Sequence, residues 1–595
     1  MTDSTDDTLF YANGINASTG TYGLEPMTEK QLLTAIKGET LLPNTEVNYL
    51  DTKNDQVKLR EFRKKRAELQ AQCSAETNTE KLAEFQAKIN KVQEEIDKRE
   101  HLGVAAHIDP TNLQQTGWGI IFTEKADLVI QEALSELIEW RRPQAGEFFK
   151  IFAGDGGYRA GDTYLTFLNR HGAGPGPVDP VKGVPYYLLL VGSPAEIPYQ
   201  FQYQLDVQYG VGRIHFDTLD EYARYARSVV LAEKGEVRLS RRAGFFGVTN
   251  PNDRATALST KHLIKPLHKT FSKRKEDWTC DLFAGEQATK SQLSQLLGGE
   301  QTPALLFTAS HGVECTPDDK LQLLHQGALV CQDWEGPEDH TGPLTQDLYF
   351  AGDDLTDDTN LLGLMTFHFA CYGAGTPQFD EFAGLQKQKK TIAKQPFLAH
   401  LPRQLLSHGA LAAVGHVERA WGHSFFWTGV GEQLPVFESA LEVLLNGAPI
   451  GLAVEYFNER YAELATIVNE DLLQFDFLAE EYQLRVPGYW TACADARNYI
   501  IVGDPAARLP IAKPEETATD RPDIGEVSFA ADPAASTKGS KTTAKADVQA
   551  GKPLSTISDE DWHATPITVQ QALSEAVALI EQLKTQLDQY PPSDR

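Results

Sequence analysis

A series of short apolar runs punctuates the chain: Gly119–Phe122, Tyr186–Gly192, Gly244–Val248, Ala304–Ser310, Phe367–Ala370, Gly409–Gly415 and Tyr499–Val502. Each is about as long as a strand buried on both faces. Between them lie stretches with helical spacing, notably 126–140, 255–271 and 290–297, and one further short strand pattern at 279–283. Strands alternating with helices predict an α/β fold with a largely parallel sheet covered on both faces. Ligands of such sheets bind where strands end at their carboxyl edge. Two runs end on reactive side chains there. One continues into Ser310-His311-Gly312, the other into Cys371-Tyr372-Gly373-Ala374-Gly375.

Composition narrows the function classes. The 595 residues carry 55 basic and 83 acidic side chains, a formal net charge of −28. A general binder of nucleic acid or anionic membrane needs basic surface, so neither partner is expected. No apolar run reaches spanning length. The amino end, Met1-Thr2-Asp3-Ser4-Thr5-Asp6-Asp7, lacks the basic-then-apolar order of a secretory signal, so a cytoplasmic location is expected. Cys73, Cys280, Cys315, Cys331, Cys371 and Cys493 are scattered without a C-x-x-C pair, which predicts neither a disulfide framework nor a zinc module.

Six regions are expected. Residues 1–54 form an N-terminal region with turn signals, one helical stretch at 28–37 and no motif that carries chemistry. Residues 55–104 read as a helical hairpin, with Leu82, Phe85, Ile89, Val92 and Ile96 in a heptad seam. Residues 105–240 and 241–511 are two successive α/β regions. Residues 512–563 have a linker's composition, and 564–595 hold an amphipathic helix faced by Leu573, Val577, Ile580, Leu583 and Leu587. The helices at 55–100 and 566–589 are candidate surfaces for self-association or a regulatory partner; packing on the chain's own body is the plainer role.

The thiolate is the reactive form of cysteine, and a neighbouring imidazole raises its population and later protonates a leaving amine. Gly312 lets backbone approach a carbonyl closely, and the N–H groups of Gly312 and Cys371 are candidate oxyanion donors. The plainer reading is a core cysteine near an unrelated histidine. His368, inside the strand, reads as a core residue. His416, Glu418 and His423 around Trp421 read as packing or pocket residues rather than metal ligands, and no metal is assigned.

Ser310-His311-Gly312 followed by Ala370-Cys371-Tyr372-Gly373 resembles the caspase-fold cysteine peptidases, among them gingipains and CHAT-domain proteases. Tyr187–Gly192 with Gly212-Arg213-Ile214, and Asn498–Pro505, are similar to segments of gingipain-like and CHAT domains. The resemblance spans roughly 180 to 510. It implies a three-layer α/β/α sandwich over 241–511 with a gingipain-like subdomain before it. It implies an endopeptidase that cleaves protein substrates through a thioester, with His311 and Cys371 as catalytic residues, and a bacterial defence role by analogy. Gingipains carry a third, acidic residue just after the first catalytic strand. Here that place reads Thr249-Asn250-Pro251-Asn252, so a dyad is expected.

The same loop lines the specificity pocket in relatives. Asp253 pointing inward would select Arg or Lys, and Arg254 would select Asp or Glu; Asp354 and Glu418 are alternative pocket acids. The acidic balance favours basic substrates. The acids of 333–358 suggest a Ca²⁺ loop, although no EF-hand spacing appears and a solvated loop is plainer; no other cofactor is expected. Lys387–Lys394 is a candidate self-cleavage loop. Two other functions fit the same residues: a non-catalytic caspase-fold scaffold, and a transpeptidase using the same thioester.

Overall fold

The computed structural model describes residues 9–37, 88, 103–105, 107–275, 277–380, 390–427, 430–473, 486–513, 515–525 and 527. The chain divides into two units, 1–529 and 530–595, the second lying outside the described residues. The expected hairpin at 55–104, apart from Lys88 and 103–104, also lies outside them, as do the helix at 566–589 and Lys387–Lys389.

Among the described residues, ten strands form the main sheet: β1 Trp118–Ile121, β2 Phe149–Phe152, β3 Tyr187–Val191, β4 Gly210–Ile214, β5 Arg242–Gly247, β6 Thr279–Ala284, β7 Leu305–Ala309, β8 Met365–Phe369, β9 Ala412–His416 and β10 Tyr499–Gly503. Their order is β2-β1-β3-β4-β10-β9-β8-β7-β5-β6. Every neighbouring pair is parallel except β9 with β10. Two parallel half-sheets therefore run in opposite directions and meet along Ala412–Gly503 to His416–Tyr499. The regions 105–240 and 241–511 share this one sheet through β4 and β10.

Residue choice follows position. The inner strands β3, β7, β8, β9 and β10 are buried at every residue, as apolar runs covered on both faces should be. The edge strands β2 and β6 carry Lys150, Thr279 and Asp281 and are mostly half-buried. Strand β4 was hidden in the sequence by its two glycines and Arg213. Gly212 is required by the close approach of β10, because an added Cβ would lie 2.0 Å from the Gly503 carbonyl oxygen. Arg213 is buried and donates to Gln202 Oε1 (2.9 Å) and the Gly192 carbonyl (3.1 Å).

Helices cover the sheet. The stretch at 126–140 forms two helices, Leu128–Ala133 capped by Asp127 and Ser135–Ala145. That at 255–271 runs from Arg254 to Arg274 through a π turn at Thr260–Ile264. The wider turn precedes Pro266, which has no N–H and crowds the carbonyl four residues back. Where β10 ends, the buried Asp504 accepts from Arg141 (2.7 and 2.9 Å) and Trp118 Nε1 (3.0 Å), and Arg141 also pairs with Glu233. Such a cluster stabilises only when complete, and loss of one member costs roughly 3–5 kcal/mol.

A smaller sheet joins Gly14–Asn16, Gly312–Glu314, Leu329–Val330 and Tyr349–Phe350 in that order. Ile15, Val313, Val330, Trp334 and Tyr349 bury their side chains in its own core.

Candidate active site

Strands β5, β7, β8 and β9 are parallel, so the loops after them leave from one edge of the sheet. These are 248–253, 310–312, 370–374 and 417–424. Among the described residues, left-handed backbone at non-glycine positions is confined to this edge. Asn252 (φ 54°), Tyr372 (φ 59°) and Glu418 (φ 82°) are the non-glycine residues with left-handed φ among the described residues. Such conformations persist only where the surroundings over-determine them. Here Tyr372 N–H donates to the Glu418 carbonyl (2.5 Å) and Ala374 N–H to the His416 carbonyl (2.9 Å), binding two of the loops together.

His311 is fully buried, and its Nε2 lies 2.8 Å from Asp253 Oδ2. The ring sits between Tyr22 and Trp334, both edge-on at 5.8 and 5.7 Å. Asp253 is the N-cap of the helix beginning at Arg254, accepting from Ala255 N–H (3.2 Å), Tyr22 Oη (2.6 Å) and, at short range, Thr256 Oγ1. Burial raises its pKa, but the charge and hydrogen bond of His311 and the two hydroxyl donors outweigh burial and hold it below the usual carboxylate range. With Nε2 committed to Asp253, Nδ1 remains, and it has no hydrogen-bond partner among the described residues.

Cys371 follows β8 with no exposed surface. The N–H of Ala420 points at its Sγ from 3.3 Å. Gly312 lies directly against it, and an added Cβ there would be 1.8 Å from the Cys371 carbonyl oxygen. Burial pushes the thiol well above its ordinary pKa, with Glu314 adding to the effect and the Ala420 N–H opposing it.

The N–H groups of Gly312 and Cys371 converge on one acceptor, the carbonyl oxygen of Asn13, at 2.8 and 3.0 Å. The surrounding segment lies extended across the edge. Asn13 N–H donates to the Ala420 carbonyl (3.0 Å), Gly422 N–H donates to the Tyr11 carbonyl (3.2 Å), and Ala12 bridges Trp421 in antiparallel fashion. Beyond Asn13 the chain turns parallel to Gly312–Glu314, with Gly14 opposite Gly312. An added Cβ at Gly14 would meet Glu314 Oε1 at 2.2 Å and Cys371 Sγ at 3.1 Å. A cleft of about 370 Å³ lined by Thr111, Arg141, Glu233 and Arg508 contains none of these groups.

Gly312 lies against Cys371, with His311 immediately before it in the chain; Asp253 is bonded to His311, and the Glu418 carbonyl to Tyr372 N–H. Asp253 was expected to line a specificity pocket; it is instead buried under His311, because the cap position turns its carboxylate back over the helix start. Arg254, one residue on, is exposed. Glu418 is buried and bonded to Arg419 (2.7 Å), which also pairs with Asp380. Asp354 caps its own turn and pairs with Lys290 (2.7 Å), outside this constellation. All three acids proposed to attract a basic side chain are therefore already partnered. His368 bonds Thr308 Oγ1 (2.8 Å) in the core, and burial lowers its pKa to about 3. His416 bonds Asp495 (3.1 Å).

Among the described residues no three His, Cys, Asp or Glu side chains are grouped to hold a metal ion. Several acids of 333–358 are engaged instead, Asp333 with Lys290 N–H, Glu335 with His340 and Asp353 with His325. No described helix is long and apolar enough to cross a membrane. Sequence reading missed Asn13, Gly14, Tyr22 and Ala420. The one available signal was the glycine-rich turn pattern around Asn13-Gly14, which does not say where the segment docks.

No family model and no curated protein matches the chain. Among solved structures, one described as a protease is 12% identical over 67% of this chain and 80% of its own, with a TM-score of 0.38. The complex of Porphyromonas gingivalis RgpB pro- and mature domains is 11% identical over 66% and 80%, at 0.34. A Saccharomyces cerevisiae separase–securin complex is 11% identical over 54% of this chain and 16% of its own, at 0.26.

Proposed function

We propose that the chain is a cysteine endopeptidase of the caspase-fold kind, with Cys371 as nucleophile and His311 as general acid and base. The observation that carries this reading is the Asn13 carbonyl held by two backbone N–H groups, one of them from Cys371 itself. Two converging donors beside a thiol are what stabilises the oxyanion when sulfur adds to a peptide carbonyl. His311 takes the thiol proton through Nδ1 and returns it to the leaving amine; water then hydrolyses the thioester. Asp253 fixes the tautomer by accepting from Nε2 and stabilises the imidazolium, so a triad replaces the expected dyad. Asp253 is a positioning residue, since it touches His311 alone among the reacting groups.

The convergence of two backbone donors beside a thiol favours an enzyme over a binding scaffold. Asp253, Asp354 and Glu418 are already paired, with His311, Lys290 and Arg419, so none of the three is proposed to select Arg or Lys. The test is a peptide-library cleavage profile of the wild type beside Cys371→Ala. Cleavage by the wild type alone is expected; equal cleavage by both, or by neither, would overturn the reading.

A further inference from the structure

We infer that the chain is its own substrate: residues 10–16 occupy the cleft as a bound peptide, and the Asn13–Gly14 bond is the one Cys371 cuts. This rests on the peptidase reading and gives it a substrate class, peptides with a small carboxamide residue before the scissile bond and glycine after it.

The pose has the parts of a productive complex. The carbonyl to be attacked sits between both oxyanion donors. The residues before it are held by backbone pairing, Asn13 with Ala420, Ala12 with Trp421 and Tyr11 with Gly422. This fixes register without regard to side chain. Phe10 stacks on His423 with ring centroids 4.1 Å apart. The residues after the bond are held by the Gly312–Glu314 strand and by Ile15, which is fully buried. An ordinary structural strand would meet the edge with any backbone group; here the one carbonyl in the hole belongs to the bond lying against the thiol.

Two positions read the sequence. Asn13 is buried, with its Nδ2 donating to the Ser310 carbonyl at 3.4 Å, a contact an aspartate could not make. Gly14 passes so close to Glu314 and Cys371 that a larger residue does not fit unless Glu314 moves. Glu314 Oε1 has no hydrogen-bond partner among the described residues and borders Gly14, where cleavage creates an ammonium.

The step balances. Sγ bonds to the Asn13 carbonyl carbon, the Asn13–Gly14 C–N bond breaks, and the thiol proton passes through His311 to the Gly14 nitrogen. Water then splits the thioester, releasing residues 1–13 and uncovering Cys371, while Gly14–Asn16 stays paired to Gly312–Glu314.

The experiment is intact-mass and N-terminal analysis of the full chain over time, with added peptide library as a second readout. Wild type is expected to acquire Gly14 as its new terminus at a rate independent of protein concentration, and Cys371→Ala to remain whole. Asn13→Asp and Gly14→Val should slow the cut by about tenfold or more, through a lost hydrogen bond and a steric clash. Thermal melting of each variant separates slow chemistry from misfolding. Wild type that cuts library peptides but keeps Asn13–Gly14 intact, or cuts itself only elsewhere, such as at 387–394, would overturn the inference and leave the peptidase reading standing. Wild type that cuts neither itself nor any peptide would overturn both.

Discussion

Two buried histidine–carboxylate pairs sit at the same edge of the sheet, His311 with Asp253 and His416 with Asp495. Both histidines are fully buried, and both keep Nδ1 without a hydrogen-bond partner among the described residues. They differ in what surrounds them. His311 lies between the edges of Tyr22 and Trp334, next to Gly312, whose N–H meets the Asn13 carbonyl. His416 is packed against Tyr499 (4.0 Å) and Phe369 (5.3 Å), and its partner Asp495 also accepts from Trp421 N–H (2.8 Å). The second pair braces the loop that presents Ala420. The proposed function makes the first pair a proton carrier, next to backbone donors and a thiol; the second, under aromatic rings, is a strut.

The comparison breaks most sharply at the histidines. His311→Ala is expected to lower kcat/KM per folded molecule by about a thousandfold or more. His416→Gln should cost roughly 1–3 kcal/mol of stability and move KM more than kcat. Equal losses in kcat would erase the distinction. The carboxylates come next. Asp253→Asn, which spoils the tautomer, should reduce kcat by about 10²–10⁴-fold, measured beside Asp495→Asn, for which less than about tenfold is expected.

Acid titration separates the pairs from the rest of the core. Asp253 is held below its ordinary range, so its stabilising contribution is complete above the unfolded value of about 4 and is lost as pH falls through the folded one. Asp253→Asn should therefore flatten Tm against pH below about 4. Burial lowers His368 to about 3 and His423 to about 4. The unfolded chain then binds protons that the folded one refuses, and stability falls by roughly 1.4 kcal/mol per pH unit per histidine from about 6.5 down to those values. His368→Gln should remove its share of that slope; an unchanged slope would contradict the burial account. The smallest effect belongs to the exposed Arg254, where Ala substitution should stay within about 0.5 kcal/mol and leave the cleavage profile unchanged.

Much of this edge was legible in the chain. Apolar runs buried on both faces mark β7, β8, β9 and β10, and the small residues after two of them mark His311 and Cys371. Strand β4 was not legible, because Gly212 and Arg213 answer to partners distant in sequence, the β10 backbone and the Gly192 carbonyl. The role of Asp253 was hidden by its cap position; spacing alone does not say that a cap carboxylate reaches back to a histidine 58 positions later. Asn13 was the deepest miss. Its side chain is unremarkable in sequence, and it is the backbone carbonyl, which every residue carries, that fills the site.

The measurement that tests the central claim most directly is mass mapping of the wild type after a brief exposure to a peptidyl electrophile. Of the six cysteines, Cys280 and Cys493 are partly exposed, whereas Cys371 is buried under residues 10–16. An ordinary thiol would react in order of exposure. The account predicts that Cys371 is modified first once Asn13–Gly14 is cut, and that His311→Ala slows its modification by about a hundredfold. Modification of Cys280 or Cys493 with Cys371 left untouched would contradict it.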